Sequence, residues 1–252
     1  MFENAVVFSI ARHAAWAPGV TTREAWAEWA RAPWPLATGA EPKVAAMPAM
    51  LRRRTGFLGR MALEVAYECI GQDADIPVVF CSRHGEVSRS VALLRDLARG
   101  EPLSPTAFGL AVHNASAGLF SIARTDRANH VALAAGSATL EHAVIEACGQ
   151  LADGAPMVLL VACDMPLPEP FTRFEDCDEQ PFAFAWAMVA ADEDAIRLSW
   201  RAHDHAHDHA QHRAGSSRVP GGLEVLRFQL GEDSPLARDA AGQRWTWSRD
   251  GR

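Results

Sequence analysis

The sequence lacks a C-x-x-C pair: its five cysteines, Cys69, Cys81, Cys148, Cys163 and Cys177, are scattered. An odd, dispersed set excludes a disulfide framework and a redox dithiol, and is expected of reduced thiols in a cytoplasmic protein. All but Cys177 sit in apolar stretches and read as structural. There is no excess of positive charge; 24 Lys and Arg against 31 Asp and Glu leave a net charge of −7. That balance argues against nucleic acid as the main partner, which needs concentrated cations. No apolar run approaches the roughly 18 residues a membrane helix requires. The opening MFENAVVFSIARH has neither the basic segment nor the long apolar core of a signal peptide. Tyrosine is nearly absent, with one residue against eight Trp and eleven Phe, and no internal repeat recurs at a fixed period.

What remains is 252 residues, 49% hydrophobic and 22% charged, enough to bury a large core. Apolar runs at 5–10, 77–82, 131–135, 155–163, 181–191 and 195–200 read as strands. Segments 23–31, 48–70, 86–99, 110–123 and 137–152 read as helices. Strands alternating with helices predict an α/β domain around a mostly parallel sheet. Residues 164–181 form a loop rich in Pro and acids, and 201–222 break the pattern with a His-rich polar segment. A last strand is expected over 223–230, followed by a polar tail in which Trp245 and Trp247 are the large apolar groups.

Three clusters carry possible chemistry. His203, His205, His207, His209 and His212 are spaced to bind a metal in either an extended or a helical chain, but Ala, Gly and Ser flank them rather than an apolar framework. They are weak metal candidates in a flexible polar insertion. Arg52, Arg53 and Arg54, with Arg60 beyond, form either a solvated helix face or a seat for an acidic partner. The turn Ala135-Gly136-Ser137-Ala138-Thr139 joins a strand to a helix, a place where backbone N–H groups can bind an anion or activate a nucleophile. Ser137 there lacks the flanking glycines of a G-x-S-x-G elbow. A residual acyl hydrolase or transferase would have to use Ser137 with His113 or His142.

The order of LSPTAFGLAVHNASAGLFSIA (103–123), HVALAAGSATLEHAVIEACGQLADG (130–154) and PMVLLVACDMP (156–166) resembles the N-terminal half of the β-ketoacyl synthases of the thiolase superfamily. MPAMLRRRTGFLGRMALEVAYE (47–68) is similar to the short chain length factor subunits of aryl polyene and type II polyketide clusters. The resemblance covers about residues 1–200, leaving 201–222 as a linker or insertion and 223–252 as a C-terminal strand and tail.

This resemblance implies a thiolase-like α/β fold, N-terminal half only, with a mostly parallel sheet flanked by helices. It places Gly136 where the enzymes carry their acyl-accepting cysteine, so no catalytic residue is expected and condensing activity on its own is not. It implies a heterodimer with an active ketosynthase, an acyl carrier protein as a further partner through Arg52, Arg53 and Arg54, and no cofactor. Phe108, Leu110, Val112, His113 and Asn114, with Gly136 and Ser137, are then the expected tunnel or interface residues, and Phe120 is expected in the core.

Overall fold

The structure, a computed structural model, describes residues 4–37, 39–202, 219–231 and 235–249. One eight-stranded sheet organises them. Its strands are β1 (Asn4–Trp16), β2 (Val78–Cys81), β3 (His130–Leu133), β4 (Val158–Asp164), β5 (Phe182–Ala190), β6 (Ile196–Ala202), β7 (Leu236–Ala240) and β8 (Gln243–Arg249). The helices are α1 (Arg23–Arg31), α2 (Ala49–Arg52), α3 (Phe57–Ile70), α4 (Val87–Ala98), α5 (Pro105–Gly109), α6 (Ala115–Arg124), α7 (Thr139–Ala152) and α8 (Gly221–Leu230).

The strand order is β3-β2-β4-β5-β1-β6-β8-β7. Only β2 pairs in parallel, with β3 and with β4. Every other pairing is antiparallel, which corrects the expectation of a mostly parallel sheet. The expectation failed because helices cover both faces here. A strand buried on both sides reads as a continuous apolar run whichever way it points.

Side-chain size sorts the two faces. Along β5, Phe182, Phe184, Trp186 and Met188 face one layer, and Ala183, Ala185 and Ala187 face the other. The large side meets α1, α7 and α8, with Leu140, Val144, Leu223 and Leu226 in its core. The alanine side admits α3, whose own small residues Gly59, Ala62 and Ala66 are buried, and α6, whose Phe120 is buried as expected. α1 begins where the Thr22 hydroxyl accepts the Ala25 N–H at 3.2 Å, a side-chain N-cap.

Further expectations change, among them the helix over 48–70, which splits into α2 and α3. Residues 223–230 are helical, not a strand, and lie within α8. The tail is no polar appendage: β7 and β8 form a hairpin, β8 pairs with β6, and Trp245 and Trp247 are buried. The single buried helix expected over 110–123 is broken. The chain makes the short α5, a turn over 110–114, and then α6, in which only Ala117, Leu119 and Phe120 are buried.

Candidate functional site

The parallel strand β3 ends at Leu133 and turns through a 3₁₀ segment, Gly136–Ala138, straight into α7. Gly136 takes φ +57°, and a Cβ there would meet nothing within 4 Å. The position has a left-handed backbone and open space before it. Thr139 ties the turn together, donating its hydroxyl to the Gly136 carbonyl at 2.7 Å and accepting the Ala135 N–H at 2.9 Å. The expected packing face of α7 is present: Leu140 and Val144 are buried, and Ile145 and Cys148 are partly buried against the same core.

A cleft of about 840 Å³ opens beside this elbow. Leu140, Ala162, Phe182 and Val219 give it apolar walls, and Gly136 and Ser137 lie at its edge. Its charged lining is Arg83 and Arg238 against Glu141, Asp164, Asp176, Glu224 and Asp239. Among the described lining residues acids outnumber bases.

Each arginine is held by acids. Arg238 of β7 pairs with Glu141, on the first turn of α7, and donates from Nε to Glu224 of α8 at 2.7 Å. Burial alone would lower the Arg238 guanidinium, and the two carboxylates outweigh it and raise it. Across the cleft, Arg83 donates to Cys177 Sγ at 3.2 Å, Glu179 at 3.2 Å and Asp176 at 2.6 Å. Asp176, Cys177 and Glu179 could otherwise gather a metal ion. The guanidinium already stands among them, and burial together with Glu179 pushes the Cys177 thiol up to about 12, away from the thiolate a metal needs.

Asp164, at the end of β4, accepts the Ser82 hydroxyl at 2.9 Å and the Arg83 N–H at 2.8 Å, which fixes the loop after β2. Burial pushes its carboxyl up to about 6. Burial raises Cys69 to about 11 and Cys148 to about 12, and raises Cys81 and Cys163 well above the ordinary thiol value.

The expected site residues divide. His113 is half-buried, with Nε2 3.1 Å from the Leu133 carbonyl. Its ring lies against Gly85, where a Cβ would fall 2.4 Å from Nδ1. His142 directs Nδ1 to the Ala138 carbonyl at 2.9 Å and packs edge-on to Trp245. Neither ring bonds to the Ser137 hydroxyl, so the structure does not assemble a Ser–His pair. Phe108 is 67% exposed at the end of α5, with Val112 and Asn114 also exposed and Leu110 packed on the core. Arg53 and Arg54 are exposed, and Arg52 donates to the Val44 carbonyl. His203, His205, His207 and His209 lie outside the described residues. Sequence reasoning missed Arg83, Glu141, Asp164 and Arg238 as site residues, because they are distant from one another in sequence; Glu141 and Asp164 lie inside the segments that carry the resemblance, but nothing there marks them out.

Among curated proteins none matches this chain. Among solved structures, a chain of the ketosynthase ApeO in complex with its chain length factor ApeC from Xenorhabdus doucetiae superposes with a TM-score of 0.83 at 23% identity, covering 97% of this chain and 100% of that one. A β-ketoacyl synthase from Burkholderia phymatum gives 0.57 at 14% identity, over 82% of this chain and 66% of that one. The ishigamide ketosynthase/chain length factor gives 0.55 at 13% identity, over 80% and 64%. At these identities the likeness is one of fold. The N-terminal domain model of β-ketoacyl synthase matches residues 26–248, so the match runs beyond residue 200 to take in α8 and the hairpin, and the chain belongs to that family.

Proposed function

We propose that this chain is a non-catalytic, ketosynthase-like chain length factor. It pairs with an active β-ketoacyl-ACP synthase in the cytoplasm and shapes the tunnel in which a fatty acid or an aryl polyene-type polyketide chain grows. The observation that carries this reading is Gly136: a strand-to-helix elbow with open space before it and no side chain to accept an acyl group. The fold shared with chains from ketosynthase and chain length factor complexes supports the partner.

The partner-facing surface is edge strand β3 with the segment 103–123, where Leu103, Phe108, Val112 and Ile122 stand exposed. Exposed apolar groups gathered on one side of a chain mark a contact surface. Arg53 and Arg54 are free to meet the acidic acyl carrier protein. Two measurements test the reading. Incubation with acyl-carrier-protein thioesters should leave the protein's mass unchanged, and a co-expressed ketosynthase should co-purify in equal amount. A stable acyl adduct on Ser137 or a cysteine would overturn it, as would a ketosynthase that ignores the chain.

A further inference from the structure

Glu141 has a fully buried side chain and pairs with Arg238, whose own side chain is 9% exposed. The same guanidinium reaches three elements besides its own strand: Glu141 in the first turn of α7, Glu224 in the first turn of α8, and the Ser137 carbonyl inside the elbow at 3.4 Å. It passes through a gap that only glycine leaves, because a Cβ on Gly221 would fall 1.7 Å from Nη2. A buried carboxylate kept in place by one charged donor is costly to leave unpaired, so the contact is enforced from both ends. The elbow is thus held from outside its own segment, by a hairpin more than ninety residues later in the chain.

We infer that Arg238 is a positioning residue: with Glu141, Glu224 and Gly221 it forms a clasp that ties the C-terminal hairpin to α7 and fixes the shape of the elbow at Gly136–Ala138. Presentation of that elbow to a ketosynthase rests on the pairing proposed above; the clasp itself does not. Amide hydrogen exchange on the isolated full chain reads it directly. Arg238→Ala should speed exchange at residues 136–141 by about tenfold or more while amides of β4 and β5 keep the parent rate. Arg238→Lys, which restores the charge without the fork, should recover part of the protection. Should Arg238→Ala fail to fold, Gly221→Ala carries the test, since it displaces the guanidinium and leaves every charge in place. Parent-like exchange at 136–141 in a folded Arg238→Ala or Gly221→Ala chain overturns the clasp. A loosened elbow that captures co-expressed ketosynthase as well as the parent does would overturn its presentation to the partner, whereas a parent chain that captures none strikes only at the pairing.

Discussion

Gly136 and Gly85 both take left-handed backbones, at φ +57° and +60°, yet their surroundings differ. At Gly136 an added Cβ enters open space, so Gly136→Ala should cost only the backbone penalty, about 1–2 kcal/mol. At Gly85 the Cβ would also press into the His113 ring, and Gly85→Ala should cost about 2–5 kcal/mol. Thermal or urea melts of the two variants check the order, and equal losses would refute it. Asp164 yields a second prediction at this scale. Burial raises its carboxyl to about 6, so the folded chain holds that proton more tightly than the unfolded chain does. The burial penalty is absent below about pH 4 and complete above about pH 6, so stability falls as pH rises through that window, by about 3 kcal/mol. Glu86, also raised by burial, acts in the same direction. Asp164→Asn keeps an acceptor for Ser82 and Arg83 without the charge. It should flatten the profile between pH 4 and 6 and melt no lower than the parent at pH 7.5; a parent-like slope would show that Asp164 is not its source.

At the scale of elements, the sequence disclosed what repeats locally and hid what depends on distant partners. The helix over 23–31 and the strands near 77–82, 157–163 and 182–191 were legible from apolar spacing. The run LEVLRFQL was not, because an eight-residue apolar-rich segment satisfies both a strand and a helix period. Its buried residues Leu223, Val225, Leu226 and Phe228 belong to a helix packed between the hairpin and α1, which lies far away in sequence. The elbow was visible as a strand-turn-helix, and Gly136 with it. The clasp was not, since Glu141 and Arg238 meet across 97 positions. The hairpin's place in the sheet gives a prediction here. Trp247 is fully buried against Trp186 and Phe228, and Trp247→Ala should destabilise by about 3–5 kcal/mol. Because β8 continues the sheet through β6, loss should appear as one cooperative transition at lower temperature. A separate early transition would make the hairpin an independent unit.

For the whole molecule, the question is what covers the side formed by β3 and residues 103–123. β3 is one of the sheet's two outer strands and only half-buried, α6 packs beside it, and exposed apolar groups stand on α5, the following turn and α6. Phe108 is the sharpest probe, because two roles predict opposite results. As a core residue its loss would cost about 3–5 kcal/mol. At 67% exposure it has little burial to lose, so Phe108→Ala should leave the melting temperature of the lone chain near the parent value. Its effect should appear in the complex. A ketosynthase interface of the obligate kind buries about 2,000 Å² or more and is apolar, so the chain without its partner should self-associate. Phe108→Ala combined with Val112→Ser should reduce that self-association, measured by light scattering, and weaken capture of a co-expressed ketosynthase. If Phe108 also borders the partner's tunnel, the complex that still forms with Phe108→Ala should release longer or more varied products. Well-folded variants that pair and elongate as the parent does would move both the interface and the tunnel away from this side of the molecule.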